Sequence, residues 1–249
     1  MDLNKTIDIN CDLGEGMPND ADLMPFISSC NIACGGHFGT KESIRKTIRL
    51  AQEFNVKIGA HPSYPDKENF GRKQLPISSI DLKKSIRTQL EDFLSVCEEE
   101  NVIPNHIKLQ GALYNVAAKE TSTAEAIASL FIEMNLNLPV YAPFNSVLAR
   151  SIINHNPVIP EAFIDRRYEN DGSLVSRTKQ GALIDQPDLA WELLKTMYFD
   201  NRIHTYNGET IPITAETYCI HGDSSSALST LKFIHSKLVE NGINLSKND

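Results

Sequence analysis

Five short apolar runs in this chain each end in a polar or charged residue next to a chain-turning one: Ile9-Asn10-Cys11-Asp12, Ile32-Ala33-Cys34-Gly35-Gly36-His37, Ile58-Gly59-Ala60-His61-Pro62, Ile107-Lys108-Leu109-Gln110-Gly111 and Cys219-Ile220-His221-Gly222-Asp223. Segments of helical periodicity separate them. Strands that alternate with helices and stop at reactive residues are the pattern of a (β/α) barrel, which gathers such groups at the C-terminal rim of its strands. The pattern predicts an α/β enzyme.

The spacing places strands at residues 6–11, 30–34, 57–60, 106–109, 139–142, 161–164 and 218–220. Between the first two, residues 20–27 can make a helical turn or two. Thr40 is set as an N-cap for a helix over 41–54, with Ile44, Ile48 and Ala51 on one face. Leu82, Ile86, Leu90, Phe93, Leu94 and Cys97 stripe a long helix ending near Asn101. Shorter helices are predicted over 114–119, 124–134, 146–153 and 189–197, and Ala227, Leu231, Ile234 and Leu238 mark the closing one. Asn207-Gly208 inside 202–213 signals a hairpin. The segment 165–181 is polar and loop-like, placed where a barrel carries a lid. Alternation throughout, with no linker or repeat, favours one domain over 1–249 and a closed parallel sheet of seven or eight strands.

At 249 residues, with 41% hydrophobic and 22% charged residues, the chain can bury a large core as an ordinary globular domain. A net charge of −8 argues against nucleic acid, whose phosphates require clustered Lys and Arg. No run reaches the length of a membrane span and Met1 to Lys5 opens no apolar leader, so a cytoplasmic location is the expectation. Five scattered cysteines without a CxxC pair suit reduced thiols.

Asp12 and Glu15 lie at the exit of the first strand, where a carboxylate can act as a base, bind a metal or cap a loop. Asp12, His37 and His61 end three successive strands, and one carboxylate with two imidazoles makes them candidate metal ligands at the barrel rim, or else polar substrate contacts. Lys108, between Ile107 and Leu109, needs a partner if buried. It could stabilise a carboxylate or a developing oxyanion, or form a structural salt bridge, with Asp12 a candidate. Gln110 and Asp165 close two further strand ends as candidate substrate contacts. Arg166, Arg167 and Arg177 could clamp a substrate carboxylate or phosphate through paired hydrogen bonds, or simply be solvated in their polar loop. His221 and Asp223 could form an acid/base pair or serve a turn. The stretch Gly35 to Lys41 misses the spacing of a P-loop, and no GxGxxG or GxSxG occurs. On chemistry alone the chain reads as a hydrolytic or lyase-like enzyme for a small polar substrate.

These segments resemble the LamB/YcsF family. The matching stretches are 8–16, 28–37, 58–66 with Asn69-Phe70-Gly71-Arg72, 106–115, 163–167 with Asp171-Gly172-Ser173-Leu174-Val175, 180–184 and His221-Gly222-Asp223, in order along nearly the whole chain. The resemblance implies a distorted TIM-like barrel of about seven strands, of the glycoside hydrolase/deacetylase type. It also implies ATP-dependent opening of the lactam of 5-oxo-L-proline to L-glutamate, with ATP (and magnesium) as co-substrate and two further 5-oxoprolinase subunits, allophanate-hydrolase-like or carboxylase-like, as partners. In that scheme Asp12 or Glu15 is the base, His37 and His61 bind the activated lactam or a metal, and Lys108 neutralises charge on oxygen. Arg166 or Arg177 holds the substrate carboxylate. The family often reads Lys-Pro-His-Gly where this chain has Lys108-Leu109-Gln110-Gly111, and Cys-Gly-Phe-His where it has Cys34-Gly35-Gly36-His37. Two other classes remain open: a metal-dependent amide deacetylase acting alone, and a non-catalytic subunit that delivers substrate.

Overall fold

The first strand alternates Ile7, Ile9, Cys11 and Leu13 with Asp8, Asn10 and Asp12, so one face is apolar and the other polar, and both are largely buried. A strand with that pattern needs apolar helices on one side and polar partners on the other. The computed structural model supplies both. It describes residues 5–248; residues 1–4, the start of the segment read for a leader, lie outside it. In chain order the elements are β1 (Lys5–Leu13), α1 (Asp20–Leu23), β2 (Ser29–Ala33), α2 (Lys41–Glu53), β3 (Lys57–His61), α3 (Ser79–Glu99), β4 (His106–Lys108), α4 (Gly111–Lys119), α5 (Thr121–Glu133), β5 (Val140–Ala142), α6 (Val147–Ile152), β6 (Val158–Phe163), α7 (Pro187–Asp200), β7 (Arg202–His204), β8 (Thr210–Pro212), β9 (Thr217–His221), α8 (Ala227–Glu240) and β10 (Ile243–Leu245).

Seven parallel strands close a barrel in the order β1-β2-β3-β4-β5-β6-β9, with β9 bonded to both β6 and β1. The expected α/β barrel is thus observed, and the predicted strands match it to within a few residues. β1 is longer than any neighbour. Its upper part, Asp8 to Asp12, pairs with β9, while Lys5 to Ile7 pairs with β10, a strand of three residues outside the ring that periodicity could not reveal. The hairpin signalled by Asn207-Gly208 is present as β7–β8, but its turn is longer than two residues, closed by Gly208 N to Thr205 O and Thr205 N to Glu209 O. Residues 165–184 are more ordered than a loop: bridges Arg166 to Leu183 and Tyr168 to Leu174 fold them into a flap, and the Tyr206 main chain donates to Tyr168 O.

Local rules place the helices. Thr40 Oγ1 accepts from Ser43 N while Ser43 Oγ accepts from Thr40 N, a reciprocal cap that starts α2. Ile44, Ile48 and Ala51 of α2 and Leu90, Phe93 and Cys97 of α3 are buried in the shell between helices and barrel. Each large apolar side chain removed from water there stabilises the fold by about 1.5–3 kcal/mol. The barrel interior is different. It holds Asp8, Asn10, Ser29, Asn31, His106, Lys108, Glu161 and Thr217 where barrels of this architecture are usually filled with branched aliphatics. Gly59 makes room for one of them, since a Cβ there would lie 2.1 Å from His106 Nε2. Among the described residues no helix is long and apolar enough to cross a membrane.

Candidate active site

The polar interior surfaces at the C-terminal rim in a cavity of about 700 Å³ whose walls include Asp12, Glu15, His61, Lys108, Arg166, Arg177 and His221. β1 delivers Asp12. Its Oδ1 accepts from Asn31 Nδ2 at 2.8 Å and Lys108 Nζ at 3.0 Å, and its Oδ2 lies 3.4 Å from His61 Nε2. Burial alone would raise the Asp12 carboxyl, but His61 and Lys108 outweigh it and hold the pKa well below the ordinary range. The group is therefore a carboxylate. His61, at the end of β3, donates from Nδ1 to the main-chain oxygen of Lys108 at 2.9 Å, because a carbonyl can only accept. Its Nε2 is thereby left for Asp12 and the cavity.

Lys108 is fully engaged. Besides Asp12, its Nζ meets Glu161 Oε1 at 2.8 Å, Asn10 Oδ1 at 3.1 Å and Cys219 Sγ at 3.0 Å. Burial works against its charge, yet Asp12, Cys219 and Glu161 prevail and its pKa stands well above the ordinary value. An ammonium has three protons, so Lys108 has none to offer a substrate oxygen. Of the roles read for it, the carboxylate contact and the salt bridge with Asp12 are the ones observed, and the oxyanion contact is corrected.

His37 is corrected too. Its Nε2 meets Glu15 Oε1 at 2.8 Å and its Nδ1 meets Ser63 Oγ at 3.0 Å, so both ring nitrogens are occupied and the ring lies behind Glu15. Asp12, His37 and His61 accordingly do not form a ligand set. Among the described residues no group of three or more His, Cys, Asp or Glu side chains is placed to hold a metal ion. Lys108 stands on one side of Asp12, and His37 is turned to Glu15.

Across the cavity, Asp165 rather than Asp223 partners His221. Asp165 Oδ2 accepts from His221 Nδ1 at 2.8 Å and from His221 N at 3.0 Å, which fixes the ring and leaves its Nε2 free. Asp165 would be raised by burial, but His221 and Arg166 bring it below the usual range. Asp223 is bonded instead to Arg72, from the β3–α3 loop, across the cavity mouth. Arg166 is 5% exposed and forms no ion pair among the described residues; its Nη2 donates to Val175 O at 2.6 Å and its Nε has no partner there. Burial, reinforced by the charge of Arg177, pushes it down to about 10. Gln110 donates to Phe70 O at 3.0 Å, and its Oε1 lies against Gly71, whose positive φ of 64° and lack of a Cβ allow the approach. It supports the loop carrying Arg72.

Sequence reasoning missed Asn10, Asn31, Glu161 and Ser63. The alternation Asp8, Asn10, Asp12 within a buried strand was the available signal for the first. Glu161 follows Pro160 in a short strand and has no such mark.

A family model described as LamB/YcsF family matches residues 7–249. A Haemophilus influenzae (strain PittEE) protein, named as one of the subunits of 5-oxoprolinase, is 36% identical over 243 residues, covering 97% of this chain and 99% of that one. The crystal structure of a lactam utilization protein from Thermus thermophilus superposes with a TM-score of 0.90 at 28% identity, covering 97% and 99% of the two chains. A family 4 carbohydrate esterase from Streptomyces lividans, solved with acetate, shares the fold alone, with a TM-score of 0.52 at 9% identity over 98% and 93%.

Proposed function

The chain belongs to the LamB/YcsF family, and from that membership we propose that it is the lactam-opening subunit of an ATP-dependent 5-oxoprolinase. It would hydrolyse 5-oxo-L-proline to L-glutamate together with two further subunits, allophanate-hydrolase-like or carboxylase-like, that handle ATP and its magnesium. The name of the Haemophilus relative, which makes it one subunit of several, supports a complex. One observation carries the assignment to this chain: an ionised carboxylate, an imidazole with a free ring nitrogen and a buried guanidinium that has no ion pair among the described residues line the same cavity.

A lactam is a resonance-stabilised amide, and water opens it slowly. Phosphorylation of its carbonyl oxygen makes the carbon a stronger electrophile, which is the use of ATP, cleaved to ADP and phosphate. Against such a carbon a weak base suffices. Asp12, through Oδ2 and with His61 beside it, takes a proton from water as the hydroxyl adds; Glu15, backed by His37, is a second carboxylate in reach. As the added hydroxyl gives up its proton and becomes the carbonyl, the ring C–N bond breaks, its electron pair stays on nitrogen, and His221, oriented by Asp165, supplies the proton that nitrogen takes. A second water then cleaves the acyl phosphate left on the opened chain, giving the carboxylate of glutamate and free phosphate. Arg166, with Arg177, holds the substrate carboxylate, since a buried guanidinium that has no carboxylate of its own gains most from an anion. Arg72 and Asp223 close the mouth.

Glutamate release from 5-oxoproline and ATP tests the reading. Product is expected only when this chain and both partner subunits are mixed. Equal release by the partners alone would overturn it, and so would metal-dependent deacylation by this chain alone with no product from the full set.

A further inference from the structure

Glu161 takes no part in the steps above, yet its side chain is 0% exposed in the barrel interior, and both supports of Asp12 lead back to it. The first is Lys108, whose Nζ lies closer to Glu161 Oε1, at 2.8 Å, than to Asp12 Oδ1, at 3.0 Å. The second is an amide chain. Asn10 Nδ2 donates to Glu161 Oε1 at 2.9 Å and to Thr217 Oγ1 at 2.8 Å, which turns Asn10 Oδ1 toward Asn31 Nδ2 at 2.8 Å. That same Asn31 amide holds Asp12 Oδ1. Two carboxylates thus share one buried ammonium, and each charge there needs a partner.

We propose that Glu161 is a positioning residue for Asp12: by drawing Lys108 and Asn10 toward itself, it keeps Lys108 from closing fully onto Asp12 and leaves Asp12 Oδ2 turned to the cavity. The proposal rests on the reading of Asp12 as the base. Without the second carboxylate, the whole charge of Lys108 would fall on Asp12. That would bind its free oxygen more tightly and weaken it as a proton acceptor. Glu161 acts through Lys108, not on the substrate, so its loss is expected in turnover and not in substrate affinity.

The test is Glu161→Gln, which keeps the shape and an acceptor oxygen but removes the charge, measured in the assembled three-subunit complex. The expected result is a fall in kcat of about tenfold or more with KM within about twofold, because misplacing a catalytic group by a fraction of an ångström costs on that scale. In an Asp12→Asn background the same change should cost nothing further. Losses that multiply, or a raised KM with kcat intact, would overturn the proposal. Should the Gln variant not fold, Glu161→Asp, which keeps the charge one methylene short, is expected to show a smaller fall in kcat at unchanged KM. A second readout needs no turnover. In urea unfolding of the full chain, Asp12→Asn and Glu161→Gln should be coupled through Lys108, the double variant differing from the sum of the singles. Additive shifts there would also sink the idea. A wild-type complex that releases no glutamate would remove the functional reading instead, and the unfolding cycle would still decide the positioning.

Discussion

Asp12 stays charged although burial opposes it, because His61 and Lys108 face it from two other strands. Replacing it with Asn keeps the shape and removes the base. Glutamate release by the complex is expected to fall on the order of a hundredfold, about 3 kcal/mol of transition-state stabilisation, and wild-type turnover by Asp12→Asn would remove the central assignment. His106 makes a different prediction. Buried and stacked on Tyr141 at 3.9 Å, it donates from Nε2 to Asn31 Oδ1 at 2.7 Å. Burial, then the charge of Lys108, depress its pKa well below the ordinary value. Above the unfolded-state value of about 6.5 its contribution is fully present; as pH falls below that, the unfolded chain binds a proton the native one refuses, and stability declines by up to about 1.4 kcal/mol per pH unit. Urea unfolding between pH 7 and 5 should therefore be steeper for the wild type than for His106→Gln. Equal slopes would show that His106 takes up its proton in the fold. Asp12, His61 and His221 were legible because each ends an apolar run. The partners of Asp223 and His37 were not, since Arg72 and Glu15 reach them across loops whose path no local pattern encodes.

At the scale of elements, period and capping marked out the helices, and β1 declared its two faces through Asp8, Asn10 and Asp12. The flap over 165–184 did not read as structure, because its order comes from bonds to distant chain such as Tyr206 N to Tyr168 O and Tyr206 OH to Gln180 O. Those bonds matter to the site. They hold the segment carrying Arg166 while leaving its guanidinium without a carboxylate, apart from the neighbouring Asp165 committed to His221. A planar fork placed in that way recognises a carboxylate by geometry as well as charge, and lysine cannot reproduce it. Arg166→Lys is expected to raise KM for 5-oxoproline about tenfold or more while changing kcat little, as steady-state kinetics of the complex would show. An unchanged KM would assign the substrate carboxylate to Arg177 or Lys119, which line the same cavity.

Over the whole molecule the two ends of the barrel do different work. The reactive side chains collect at the C-terminal ends of the strands, whereas the N-terminal end of β1 is tied down by β10 and the residues just after it. Ile243 is buried, Ser246 N donates to Ile7 O, Ser246 Oγ accepts from Lys57, and Lys247 Nζ donates to the main-chain oxygens of Met24, Pro25 and Phe54. None of these groups lines the cavity. Between the ends runs the polar interior, where Thr217 Oγ1 links Asn10 to Asp8 and Lys57 also bonds Asp8. Stability and chemistry are therefore separable by position. Deleting residues 243–249 removes a buried Ile, a strand pairing and the lysine clasp, and is expected to destabilise the chain by roughly 3 kcal/mol or more in urea unfolding. At a temperature where the shortened chain is still folded, glutamate release by the complex should match the wild type. A truncated chain that is folded but inactive would mean that the interior transmits strain from one end to the other through Asp8, Asn10 and Glu161.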